Sequence, residues 1–319
     1  MDDKLREAAR RTLAGCMNVQ AGETVVVVTD DVARPVGEAL AAEAGALGAE
    51  PVLTIMTPRN VNGEEPPAPV VPMMAAAEVL LLPTRVSLSH TKARKAASAA
   101  GARCASMPGI TADMMIRTMA VDYGEVAARS AALAQRIAGV KKFGLTSPGG
   151  TDMTLNTEGA AFSVDSGIYH EAGRFGNLPA GEVCGGPVLE GSSGVAVFDG
   201  SFAGVGRIDT PVTVTFTDGL ATAIEGGDEA TALSELIKPF GDPGKVLAEL
   251  GIGTHPTAQL TGAILEDEKI LGTVHLALGN NVGFGGSNDV GVHLDGVILS
   301  PTLVTEGGDV IIENGEPRF

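Results

Sequence analysis

The chain has 319 residues with 22 basic and 39 acidic side chains, giving a net charge of −17 and a sequence pI near 4.6. That charge repels a phosphate backbone and the length exceeds a small stapled scaffold, so nucleic-acid partners and mini-protein folds are set aside. Hydrophobic residues at 44% and charged residues at 19% indicate a folded chain, while zero Trp and two Tyr leave base-stacking platforms out.

The opening stretch MDDKLREAARRTLAGC is helical in pattern and has no apolar signal core. No run approaches the roughly 18 apolar residues of a membrane span, so a cytoplasmic protein without a membrane partner is expected. Cys16, Cys104 and Cys184 are too scattered for a disulfide framework, which fits a reducing compartment.

From Thr24 onward, strands and helices alternate. TVVVVTD (24–30) is a β-branched run of the kind buried in parallel sheets, and residues 33–50 are rich in Ala and Leu and predict a helix. PVLTIM (51–56) reads as a second strand, a Pro-rich loop surrounds Glu64 to Pro72, and AEVLLLPT (77–84) reads as a third strand. HTKARKAASAA (90–100) predicts a helix and ARCASMP (102–108) a fourth strand. Residues 1–140 are therefore expected to form an α/β domain with a parallel sheet. A long helix over 123–139 leads to a boundary near Ala138 to Lys142.

Residues 141–319 have a different texture, with short strands such as KFGLTS, DMTLN, GVAVFDG, TPVTVTFTDG, GTVHLALG and VGVHLDGVIL between Gly-rich turns. They predict a β-rich α+β domain, mostly antiparallel, interrupted by a helix over 230–240 and a short one around Lys245 to Leu250. Four of the five histidines, His170, His255, His275 and His293, lie in this half.

Candidate chemistry concentrates there. In His293-Leu294-Asp295 the strand period of two puts an imidazole and a carboxylate on one face, which suits a pair of metal ligands or a base with its orienting acid. A solvated strand face gives the same alternation. His275 lies among Val274, Leu276 and Leu278 and reads either as a ligand or as a satisfied core imidazole. The Gly-rich NNVGFGGSND between the two histidines reads as a flexible hairpin loop and not as a phosphate cradle. Glu182, in NLPAGEVCGG, and Glu249, expected at the end of the short helix closed by Gly251, are the candidate carboxylates, with solvated charges as the plain alternative. EDEK (266–269) reads as a solvated hairpin tip, from which Glu268 could act as an outlying base. His90, Lys92, Arg94 and Lys95 begin a helix, where they read either as an anion site with a modest role or as an exposed face.

Several stretches together resemble the thermophilic aminopeptidase family of metallopeptidases: GTDMTL (150–155), NLPAGEV (177–183), LAELGIG (247–253), EDEKILGTVHLALG (266–279) and HLDGVIL (293–299). The resemblance implies two divalent ions, zinc or cobalt, on Glu182, Glu249, His275, His293 and Asp295. It further implies a metal-activated water attacking an amide of a peptide or other small substrate, with Glu249 and Glu268 in catalysis, and a homodimer. One departure is Val282, which stands where those peptidases have a Tyr. The chain is also similar to ring-cleaving 2,5-dihydroxypyridine 5,6-dioxygenases, which imply one iron on two imidazoles and a carboxylate. Against that group, Glu249 stands where a His is expected, and His275 where a residue that does not bind metal is expected.

Overall fold

The computed structural model describes residues 2–319. They divide into two compact units, each described by itself. One runs to Ala127 and takes back Ser166–Ala180, and the other comprises Ala128–Asp165 and Gly181–Phe319.

The first unit opens with α1 (Asp3–Arg11), capped where the Asp2 carboxylate accepts from the Lys4 N–H at 2.8 Å. There follow β1 (Thr24–Asp30), α2 (Arg34–Ala46), β2 (Glu50–Met56), α3 (Val70–Ala75), β3 (Val79–Thr84), α4 (Lys92–Ala99), β4 (Arg103–Pro108), α5 (Ala112–Thr118) and the start of α6 (Tyr123–Ile137). Strands β1 and β3 are buried almost throughout, as continuous apolar runs in a parallel sheet require. After β5 (Lys142–Thr146), β6 (Asp152–Asn156) and β7 (Ser163–Asp165), which belong to the second unit, the chain returns to the first. There β8 (Phe175–Asn177) adds a fifth strand, giving the order β2-β1-β3-β4-β8, all parallel.

The second unit continues with β9 (Glu182–Gly185), β10 (Val188–Phe198), β11 (Ser201–Phe202), β12 (Gly206–Arg207), β13 (Val212–Thr217) and β14 (Leu220–Glu225). Helix α7 (Asp228–Ile237) precedes β15 (Leu247–Gly253), α8 (Ile264–Asp267), β16 (Val274–Gly279) and β17 (His293–Ile298). The chain ends with β18 (Thr302–Thr305), β19 (Val310–Glu313) and β20 (Glu316–Pro317). These strands make two antiparallel sheets. One is ordered β14-β13-β10-β6-β5-β18-β19-β20 and the other β12-β11-β17-β16-β15-β9-β7. Phe143, Leu155, Phe198 and Val214 from the first sheet share one core with Leu250, Leu276 and Ile298 from the second. The α/β region followed by a β-rich region is thus the architecture of the chain.

The expected short helix at Lys245 to Leu250 is absent. A single 3-10 turn covers Asp242–Lys245, and Glu249 lies within β15, which pairs with β9 on one side and β16 on the other. Ala, Leu and Glu favour a helix only weakly, and ladder pairing with β16 and, from Leu250 onward, with β9 overrides that preference. No helix among the described residues is long and apolar enough to cross a membrane.

Candidate metal centre

The face of the seven-stranded sheet opposite its core collects the candidate donors. Along β16, Val274, Leu276 and Leu278 enter the core, so His275 projects the other way, and the same alternation sends Glu182 away from Val183 and His293 and Asp295 away from Leu294 and Ile298. Glu249 needs an extra device, because Leu247 and Leu250 both enter the core although they are three positions apart, an offset that strict alternation would send to opposite faces. A register shift between Leu247 and Glu249 supplies it, turning Glu249 onto the donor face. Cross-strand pairing then sets Glu249 beside Ala277 and Ala277 beside Asp295, while His275 pairs with Gly251. A Cβ on Gly251 would stand 1.9 Å from His275 Nε2, so only glycine leaves the imidazole its place.

Two overlapping triads result, Glu182–Glu249–His275 and Glu249–His293–Asp295, with ligand atoms in each within 4.8 Å of one another. His275 Nε2 is 3.2 Å from Glu182 Oε2 and 3.5 Å from Glu249 Oε1. His293 Nε2 is 2.9 Å from Glu249 Oε2 and 3.2 Å from Asp295 Oδ1. Glu249 therefore turns one oxygen to each imidazole. No triad containing both imidazoles meets the 4.8 Å spacing among the described residues.

Burial and charge fit divalent ions. Glu182 Oε2 is fully buried without a hydrogen-bond partner, a position that favours a cation strongly. Burial pushes the Glu182 carboxyl up, but Lys269 and His275 outweigh it and hold it at about 2. Burial likewise opposes ionisation of Glu249, yet His275 and His293 hold it at about 2. Burial works against a charged imidazole at both histidines, and the carboxylates win. Glu182 and Glu249 raise His275 well above its ordinary value, and Asp295 and Glu249 do the same for His293. Three carboxylates thus draw positive charge into the site, and divalent ions would replace those protons.

The imidazoles are held differently. His293 Nδ1 lies 2.7 Å from the Asn280 carbonyl, which can only accept, so Nδ1 carries a proton and Nε2 faces the carboxylates. Phe284 stacks on the same ring at 5.6 Å with an interplanar angle of 24°. His275 Nδ1 is buried without a partner.

The expected solvated tip at 266–269 is buried in the structure. Glu266, Asp267, Glu268 and Lys269 are all buried, because each finds internal partners. Asp267 accepts from the N–H groups of Thr261 and Gly262, and Lys269 Nζ donates to Glu182 Oε1 at 2.7 Å and Glu268 Oε1 at 2.5 Å. Burial, aided by Asp295 and Glu182 against Lys269, lifts the Glu268 carboxyl to about 8, so it keeps a proton at neutral pH. Lys269 and Phe284 are the site residues that sequence reasoning missed. A lone Lys after three acids gives no cue to burial, and Phe284 sits in a Gly-rich run.

The run 280–289 lies in the hairpin connection between β16 and β17, as expected, and side-chain hydrogen bonds brace it: Asn280 accepts from the Val282 N–H and donates to Val290 O, while the Asn288 amide donates to Pro243 O and Gly279 O. Val282 opens a 3-10 turn and is 50% exposed. At the basic cluster Lys92 and Lys95 are exposed, as the plainer expectation has it, Glu65 accepts from the Lys92 and Ala93 N–H groups, and Arg94 is buried with its guanidinium 3.8 Å above the Phe175 ring.

Residues 4–317 match the family model described as 2,5-dihydroxypyridine 5,6-dioxygenase. A curated relative, the 2,5-dihydroxypyridine 5,6-dioxygenase of Pseudomonas putida KT2440, is 28% identical over 172 residues, 46% of this chain and 48% of that protein. The aligned stretch therefore spans about half of that relative. Among solved structures, 2,5-dihydroxypyridine dioxygenase from Pseudomonas putida KT2440 is similar with a TM-score of 0.80 at 17% identity, covering 98% of this chain and 96% of that one. Wild-type AmpT from Thermus thermophilus is similar with a TM-score of 0.70 at 17% identity, covering 99% of each chain. Such identities speak to the fold alone, so the relation to aminopeptidase T is one of architecture. The match along nearly the whole length is of another kind, and by it the chain belongs to the 2,5-dihydroxypyridine 5,6-dioxygenase family.

Proposed function

We propose that this chain is a metal-dependent enzyme that opens the ring of a small hydroxylated nitrogen heteroaromatic with dioxygen, using one ferrous ion on Glu249, His293 and Asp295. The observation that carries this reading is the family match over residues 4–317. Oxygen and imidazole donors suit iron, and this triad is the more accessible one, with His293 28% and Asp295 14% exposed at the side chain. It departs from the two imidazoles and one carboxylate implied for such dioxygenases, offering one imidazole and two carboxylates. A bound ferrous ion would supply the redox chemistry toward dioxygen. The chain's own residues orient and hold: Asn280 and Phe284 fix the His293 ring, Lys269 anchors Glu182, and Glu268 stores a proton beside the donors.

A second reading is a two-ion hydrolase of amide bonds in peptides or similar small molecules, loaded with zinc or cobalt. It is supported by Glu249, whose two oxygens face the two imidazoles and could bridge a pair of ions. Both tyrosines, Tyr123 and Tyr169, fall in the first unit, so in the second unit an oxyanion would depend on donors other than a phenol.

Anaerobic loading with ferrous, zinc or cobalt ion separates the readings. Oxygen uptake on 2,5-dihydroxypyridine with one iron per chain supports ring opening. Amine release from aminoacyl anilides and dipeptides, with two ions per chain and no oxygen uptake, would overturn it in favour of the hydrolase.

A further inference from the structure

The two triads are built from the same kinds of donor but stand in different electrostatic surroundings. Each has two carboxylates and one imidazole. The Lys269 ammonium, 1% exposed, sits 2.7 Å from Glu182 Oε1 and 2.5 Å from Glu268 Oε1. One of the two carboxylates of the Glu182–Glu249–His275 triad is therefore already matched by a permanent cation of the protein. Among the described residues the Glu249–His293–Asp295 triad has no lysine or arginine in its ion pairs, which are with the imidazoles of His293 and His275. Lys269 also takes up one oxygen of Glu182 and leaves Oε2 as the only one without a hydrogen bond.

We infer that Lys269 makes the two triads unequal, so that Glu249–His293–Asp295 takes the first divalent ion and Glu182–Glu249–His275 takes a second one more weakly. This rests on the site being a metal centre, and it goes beyond either proposed reaction. A fixed ammonium next to Glu182 repels an arriving dication, and that repulsion is little screened where the groups are buried. Desolvation acts in the same direction, because Glu182, Glu249 and His275 are all buried whereas His293 and Asp295 are partly open. The shared Glu249 sharpens the contrast, since its charge is partly used by the first ion. A chain loaded at low metal supply thus carries one ion, and one loaded at high supply carries two. Lys269 acts here as a positioning residue that sets metal stoichiometry and touches no substrate.

The test is a titration of the metal-free protein with cobalt, followed by visible absorption and by calorimetry. The unmodified chain should bind in two steps separated by on the order of tenfold or more, the size of effect typical of groups that hold metal ligands. Glu182→Gln should abolish the weaker step and leave the tighter one. Lys269→Met should strengthen the weaker step and narrow the separation, while Lys269→Arg should retain it. Asp295→Asn provides an independent arm that does not disturb the buried ammonium: removing one charge from the tighter triad should also bring the two steps together. Two equal steps in the unmodified chain, or an unchanged separation in both Lys269→Met and Asp295→Asn, would overturn the inference while leaving the metal centre intact. Absence of any cobalt binding would overturn the metal centre itself and the inference with it.

Discussion

Gly251 and His275 face each other across β15 and β16, and the imidazole fills the space that a side chain on Gly251 would take. Gly251→Ala should therefore displace His275 from the Glu182–Glu249–His275 triad. The expected outcome is a loss of about tenfold to a hundredfold in affinity for the ion at that triad, with overpacking costing about 1–3 kcal/mol of stability. Metal titration and thermal unfolding measure the two effects. Unchanged metal binding would show that His275 is not held by this contact.

On the other triad, His293 is gripped from two directions, by Asn280 O at Nδ1 and by the Phe284 ring. A stacked aromatic pair contributes about 0.5–1.5 kcal/mol beyond its buried area, so Phe284→Ala should weaken the ion on His293 by roughly twofold to tenfold. Phe284→Tyr should keep the affinity, because stacking survives. Phe284 is also unusual as an aromatic residue in a run of Gly and Asn, where the side-chain oxygens of Asn280 and Asn281 accept from the Val282 and Asn288 N–H groups.

The donor list was accessible from sequence where the evidence was local. His293 and Asp295 share a face because a strand repeats every two residues, and the apolar neighbours of His275 mark a strand with a buried side. The remaining features depend on distant partners. Glu249 sits in a stretch whose residues favour a helix, and only pairing with β9 and β16 decides otherwise. Lys269 reads as a solvent charge until Glu182, 87 residues away in sequence, is brought to it. Gly251 has no visible role until His275 stands opposite. Within the α/β region the apolar runs announced β1, β3 and β4, whereas the return of Ser166–Ala180 has no comparable signal, since β8 is three residues long.

Stability in acid should depend on a pair within the first unit. The Glu23 carboxylate accepts from Arg103 Nη2 at 2.6 Å and from the Gln20 N–H at 2.8 Å, and joins the start of β1 to β4. Burial pushes its carboxyl up, but these two bonds and the Arg103 charge outweigh burial and hold it below its ordinary value of 4.5. A carboxyl lowered on folding adds stability that is present above the unfolded value and is lost as pH falls through the folded one. Glu23→Gln should cost about 1 kcal/mol at pH 7. The difference between variant and unmodified chain should shrink as pH drops below 4.5. Unfolding in urea across this range is the measurement, and a pH-independent difference would count against the pair.

Glu249 is the one donor common to both triads, and its replacement should be the most damaging single change. Its two oxygens lie 3.5 Å from His275 Nε2 and 2.9 Å from His293 Nε2. Gln keeps the shape but has a single acceptor oxygen and no charge, so it can serve at most one imidazole, while its amide N–H₂ would oppose an ion at the other. Glu249→Gln should therefore hold no more than one ion per chain, and hold it weakly, whereas Glu182→Gln and His275→Ala should each spare the ion on His293 and Asp295. The metal-free variant carries a second signature. With the Glu249 charge gone, each imidazole loses one of the carboxylates that raise it, so both should release their protons at lower pH than in the unmodified chain. Proton NMR of the five histidines resolves that shift, and elemental analysis gives the ion count. Two tightly held ions in Glu249→Gln would be incompatible with a shared carboxylate at the centre of the site.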